Sequence, residues 1–157
     1  MIDTVKVTGE WVFTWADAAT GETIKTQTHK NLVTDTGLSA IAGVFVGAIP
    51  ADSAVHLAMG TGTQSPSKND TALNTEGFRR VVSTRRHQNN VIYLRFFILS
   101  GQAVGAWSEL GVFLQSTEIP NSGLLLNRIT PPGGINKAPN QALTAEVRIM
   151  LTAGSGV

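Results

Sequence analysis

The sequence predicts a mainly β protein: a single β-sandwich domain, jelly-roll-like, with one short α-helix and an N-terminal β-hairpin. Three observations predict it. Apolar residues alternate with a period of two through much of the chain, short strand-like runs recur at regular spacing, and Gly- and Pro-containing turns separate them. A length of 157 residues fits one domain able to bury a core, and 42% hydrophobic residues is ordinary for a globular chain.

The elements follow in order. Val5, Val7, Trp11, Phe13 and Trp15 share the odd positions of a first strand, with Lys6, Glu10 and Thr14 on the even ones. Asp17-Ala18-Ala19-Thr20-Gly21 reads as a turn, and Thr23 to His29 as the return strand. The three aromatics on one face of this hairpin need a cover, either their own domain or a neighbouring subunit. Residues 34–46 predict the helix: Thr34, Asp35 or Thr36 caps its start, Leu38, Ile41, Ala42 and Phe45 recur at helical spacing, and Gly47 and Pro50 end it. Val55 to Met59 is a short strand, followed by a Gly60-Thr61-Gly62-Thr63 turn and a polar loop through Asp70. Phe78 to His87 and Val91 to Leu99 read as two antiparallel strands, the second apolar on both faces except at Arg95, as a central strand would be. Trp107 to Leu114, Leu124 to Ile129 and a cleanly alternating strand from Leu143 to Leu151 complete the series. Residues 1–30 thus form a hairpin that is a candidate inter-subunit arm, and residues 31–157 the sandwich, with its helix near 35–46.

Composition narrows the function classes. Charged residues are only 15% of the chain, which suits a protein packed against neighbours. The net charge of +1 is not that of a nucleic-acid binder, but it is unevenly spread: residues 1–78 carry eight acids and four lysines, residues 79–157 eight bases and three acids. Opposite potentials of this kind can orient association between copies. There is no cysteine, hence no disulfide, thiolate metal site or cysteine nucleophile. No signal peptide is visible after Met1, and no apolar run approaches the ~20 residues that span a bilayer.

Candidate chemistry is sparse. The Gly60–Ser65 segment lacks the third glycine of a dinucleotide fingerprint and the Gly-Lys-Ser/Thr of a P-loop, so it reads as a bend between strand and loop. His29, His56 and His87 lie at no ligand spacing, and no Ser/His/Asp order or nucleophile elbow stands out. Glu109 and Glu146 resemble a carboxylate pair only superficially; ion pairs to arginines are the better reading. No catalytic residue, metal ligand or cofactor is expected. Arg79, Arg80, Arg85 and Arg86 crowd one segment, but strand alternation divides each adjacent pair between two faces, which argues against a phosphate-binding face and for ion pairing at a subunit interface. With Trp11, Phe13 and Trp15 they form the candidate interface set. Trp11, Trp15, Tyr93 and Trp107 offer the alternative of a sugar-stacking platform, with core packing as the default.

An ordered set of short motifs carries a resemblance. These are Asn31-Leu32-Val33 with Thr36-Gly37-Leu38; Met59-Gly60-Thr61-Gly62-Thr63; Asp70-Thr71-Ala72-Leu73 with Glu76 and Arg79; Glu109-Leu110-Gly111-Val112-Phe113; Gly123-Leu124-Leu125-Leu126-Asn127-Arg128; and Leu143-Thr144-Ala145-Glu146-Val147. In this order, over residues 31–151, the chain resembles bacteriophage virion structural proteins of the tail, baseplate and fibre-associated β-domain group. The resemblance implies a non-enzymatic subunit of the virion, made in the host cytoplasm, in the tail, baseplate or fibre apparatus or its connection to the head. It implies a homo-oligomer, trimer or hexamer, that also contacts other virion proteins, with no membrane or nucleic-acid partner. Fibre members of the group often continue into long shafts; this sequence closes soon after its last strand, which favours a compact subunit. A host-surface glycan-binding module and a capsid decoration protein are the alternatives.

Overall fold

A computed structural model describes residues 3–154. The chain is mainly β, with one curled antiparallel sheet of nine strands, a separate two-stranded ribbon and one helix. Strand β1 (Val5–Asp17) pairs along its length with the last strand, β11 (Gln141–Ala153), and on its other side with β2 (Thr23–Val33). Asp17 makes the hairpin turn tight by accepting the backbone N–H groups of Ala19 and Thr20, and Gly21 takes the positive φ of 74° that closes it.

The alternation read from the sequence becomes the core. Trp11, Val147 and Leu94 form one row across β1, β11 and β6 (Val91–Ile98); Phe13, Ala145 and Phe96 form the next; Trp15, Leu143 and Ile98 the third. All nine are buried. The small Ala145 between two phenylalanines lets the bulky rings share one layer at native packing density. Facing these rows are Leu57 and Met59 of β3 (Val55–Gly60), Leu110 and Val112 of β8 (Glu109–Leu114) and Leu126 of β9 (Leu124–Ile129).

The two facing layers belong to a single sheet. Its order is β4-β3-β8-β9-β2-β1-β11-β6-β5, with β4 at Glu76–Val81 and β5 at Thr84–Gln88. β2 is the shared strand: up to Asn31 it pairs with β1, and Leu32 and Val33 then pair with Arg128 and Asn127 of β9. The two ends of the sheet approach each other where the chain passes from β4 to β5. There the Val82 N–H donates to the Val55 carbonyl and the Ser83 N–H to that of Arg95. The strand expected over 78–87 is therefore two strands on opposite layers, broken at residues 82 and 83. The strand expected over 107–114 is broken at Ser108, whose N–H donates to Gly60; β7 (Gly105–Trp107) instead pairs with β10 (Ile135–Lys137).

Helix α1 (Asp35–Phe45) begins at Thr34, whose hydroxyl oxygen accepts the Gly37 N–H. The helix lies where the periodicity placed it, but of the expected stripe Leu38, Ile41, Ala42 and Phe45 only Ile41 packs against the core. Gly37 and Ala40 are buried, while Leu38 and Phe45 are exposed, Phe45 by 90%. The reason is close approach: a Cβ on Gly37 would stand 2.3 Å from the Leu126 carbonyl oxygen. Small residues let the helix backbone rest on β9, Ile41 packs against the core, and Leu38 and Phe45 are turned outward.

β3 is buried on both faces. Its outer side is covered by Leu73, from the long connection between β3 and β4, together with Phe113 and Leu125. That connection has little regular structure, so something other than strand pairing must hold it.

Candidate functional site

The residues expected at a subunit interface divide into three groups. Trp11, Phe13 and Trp15 are 0% exposed. Their cover is the protein's own core, which removes their side chains from the interface set. The hairpin that bears them is no detachable arm, because β1 lies in the interior of the sheet between β2 and β11. Arg79 is also used internally: its Nε lies 2.6 Å from Glu76, and its Nη1 donates to the Thr117 and Ser122 carbonyls and the Ser122 hydroxyl. Arg80 donates to the Phe97 carbonyl across the meeting sheet ends. Arg85 and Arg86 remain on exposed β5, at the edge of the sheet. Arg85 reaches the carbonyls of Ala51 and Ser53, and Arg86 lies 3.9 Å over the Tyr93 ring.

The four aromatics considered for sugar stacking do not share a surface. Trp11 and Trp15 are buried, Tyr93 lies between Arg86 and Arg148, and Trp107 packs on Phe78. The two glutamates are separate ion-pair centres. On the outer face of the sheet Glu146 holds Arg95 at 2.6 Å and Arg148 at 2.7 Å, and Arg148 continues to Glu10 at 3.2 Å.

Glu109 is the centre of a buried polar hub. One carboxylate oxygen, Oε1, accepts the N–H groups of Gly62 at 3.0 Å and Thr75 at 2.7 Å; the other, Oε2, accepts that of Asn74 at 3.0 Å. Oε2 also takes two hydrogen bonds from Arg128, whose remaining donors reach Asp70 at 3.0 Å and the Gln64 carbonyl at 2.9 Å. The Glu109 and Arg128 side chains are 0% and 1% exposed. Burial pushes the Glu109 carboxyl up, but the backbone N–H groups of Thr75 and Asn74, the Arg128 guanidinium and Gly62 outweigh it and hold the group below its ordinary value. Gly60 and Gly62 are small for the same reason: a Cβ on either would lie within 2.6 Å of Glu109 Oε1. The hub thus fastens both ends of the β3–β4 connection to β8 and β9, as a charged pair with its hydrogen-bonding capacity well used.

A second constellation escaped sequence reading because its members are distant in the chain. His56 Nδ1 lies 2.8 Å from Ser116 Oγ, and its Nε2 lies 3.0 Å from Glu118 Oε1. The order serine–histidine–carboxylate invites comparison with a hydrolytic triad. However, Ser116 is 5% exposed, and its hydroxyl lies among the carbonyl oxygens of Phe113 and Ala54. A hydroxyl shut away from solvent and donating to backbone carbonyls is placed to hold a turn. The contact pins the turn after β8 to β3. Among the described residues no cluster of three or more His, Cys, Asp or Glu side chains is placed to hold a metal ion, and no helix is long and apolar enough to cross a membrane.

Among the described residues one buried charged group has no hydrogen-bond partner. Lys137 is 3% exposed, its Nζ finds no hydrogen bond among the described residues, and burial lowers its ammonium's pKa. An apolar cleft lies elsewhere, between α1 and the β5 end of the sheet. It encloses about 510 Å³; Ile41, Val44, Leu94 and Ile149 are in its wall, and Arg85, Arg86 and His87 stand along β5.

Comparison with protein-family models, with curated proteins and with solved structures yields no match to this chain.

Proposed function

We propose that the chain is a non-enzymatic structural subunit of a bacteriophage virion, assembling as a homo-oligomer in the tail, baseplate or fibre apparatus or its connection to the head. The observation that carries this reading is the convergence of the motifs that resemble that group. The Gly-Thr-Gly turn, the Asp70-Thr71-Ala72-Leu73 segment, the glutamate of Glu109-Leu110-Gly111-Val112-Phe113 and the arginine that ends Gly123–Arg128 lie in three separate stretches of the chain, yet they meet in the Glu109–Arg128 hub. They therefore act as one structural unit. A set of side chains that must fit together is a more specific resemblance than the same turns and strands taken singly.

The chemistry of the chain supports an assembly role. The most fully engaged polar residues lock loops to strands, with backbone carbonyls or N–H groups as their partners. The surface is sparsely charged and shows large apolar side chains, with Phe45 at 90%, Val46 at 74% and Ile119 at 69% exposure. A glycan reader would need two or three exposed aromatics on one face, whereas Trp11 and Trp15 are buried, Tyr93 lies under arginines and Trp107 packs on Phe78.

Mass spectrometry of purified phage particles encoding this sequence, with light scattering of the isolated protein, tests the proposal. The expected results are stoichiometric presence in the particle and a trimeric or hexameric mass. Absence from the particle, together with a monomer at every concentration, overturns it.

A further inference from the structure

We infer that the exposed C-terminal end of α1 and the apolar cleft beside it form a self-complementary contact between two copies of this chain, each copy's Phe45 and Val46 seated in the other's cleft. The inference rests on the homo-oligomer reading above and names the face that would be used.

Three observations carry it. Phe45 and Val46 are the most exposed apolar pair on the helix, at 90% and 74%, and a phenylalanine left so far in water forfeits the burial that its ring can gain. Immediately beside them is a hole: Val44, the preceding residue, lines the cleft of about 510 Å³, whose floor is made of core side chains such as Leu94 and Ile149. A knob next to a hole on one surface is the arrangement that closes on itself about a two-fold axis, where each patch meets its own copy. The charges agree. Arg86 and His87 line the β5 side of the cleft, with Arg85 held by the Ala51 and Ser53 carbonyls of its own chain, whereas the knob ends a helix with no basic residue in its last turn. The partial negative charge of a helix C-terminus is uncompensated by that turn, and the partner's basic strand would supply the compensation. Pairing of β5 with β5 of the second copy is disfavoured for the converse reason, since it would set arginine against arginine across the new strand pair.

The two-fold contact would join two trimers into a hexamer, so the mass of the full-length protein reads it directly. Light scattering should give a hexamer for the wild type and half that mass for Phe45→Asp; as Phe45 is exposed in the single chain, the variant should keep the wild-type circular dichroism spectrum, while its melting temperature falls only by what the lost contact contributed. The chain has no cysteine, so mixed single-cysteine variants give a second readout. Phe45→Cys protein mixed with His87→Cys protein should yield a disulfide-linked heterodimer on mild oxidation. An oligomer whose mass is unchanged by Phe45→Asp, with no such heterodimer, overturns this contact while leaving the assembly proposal standing. A wild-type monomer at all concentrations overturns both.

Discussion

Replacing Glu109 by glutamine removes one negative charge from the centre of the hub while keeping its shape. Oε1 of the new amide can still accept Gly62 and Thr75, but an NH₂ group takes the place of Oε2. It then confronts the Asn74 N–H and two Arg128 N–H groups, donors against donors. Arg128, 1% exposed, keeps only Asp70 as a charged partner. Breaking a buried ion pair from one side costs about 3–5 kcal/mol, because the remaining charge is left without compensation. For a chain of this length that corresponds to a fall in melting temperature on the order of 10 °C. Urea unfolding followed by tryptophan fluorescence, with a thermal melt, measures both quantities. The double variant Glu109→Gln/Arg128→Met removes both charges and should be less destabilised than the sum of the single variants by about 1–3 kcal/mol. A Glu109→Gln melting temperature within about 2 °C of wild type, or strict additivity in the double variant, would refute the hub as the lock on the β3–β4 connection. The pH dependence follows from the same group. Its folded-state carboxyl titrates below its unfolded value, so its contribution is present above about pH 4.3 and is lost as pH falls through the lowered folded value. Glu146, pushed up by burial but held down more strongly by Arg148 and Arg95, adds to the same acid loss. Glu109→Gln should therefore show a shallower loss of stability on acidification than wild type.

Three further outcomes are expected. Lys137→Met should raise stability by about 1–3 kcal/mol at pH 7 by removing a buried, unpartnered charge. Because burial lowers the lysine's folded-state value, wild-type stability should rise with pH toward the ordinary lysine range and the Met variant should lack that rise; urea melts at pH 7 and 9.5 compare the two. Gly37→Ala should destabilise despite alanine's higher helix propensity, by about 1–3 kcal/mol, since its Cβ meets the Leu126 backbone and nothing there is a flexible side chain; a stabilised variant in a thermal melt would contradict the helix placement. Deleting residues 1–30 should abolish cooperative unfolding, as it takes out β1 and most of β2, two neighbouring interior strands; a truncated chain that melts cooperatively would restore the arm reading.

The parts of the fold that were legible in the sequence are those where one face is dry and the other wet. The odd positions of β1 and β11 announce the core because alternation is a local signal, repeated in each strand and independent of partners. The helix was legible for the same reason, but its buried face was not. Periodicity marks Leu38, Ile41, Ala42 and Phe45 as the apolar stripe, of which only Ile41 reaches the core, whereas the closest contact is made by Gly37 and Ala40, whose value lies in having little side chain. The breaks at residues 82 and 83 and at Ser108 left no signal, since each depends on a hydrogen bond to a distant strand. The expectation that Glu109 and Glu146 would meet arginines was correct. That Gly60 and Gly62 are small to admit Glu109 was invisible, because sequence shows a glycine's freedom but not what lies against it. The Ser116–His56–Glu118 contact, bridging some sixty residues, had no local trace at all.

An electron cryomicroscopy map of the intact particle tests the central claim most directly. It should show symmetry-related copies of this curled sheet in the tail, baseplate, fibre base or neck, with the α1 end and the β5 edge covered by protein. A complete map of the purified particle in which no density fits the fold would contradict it.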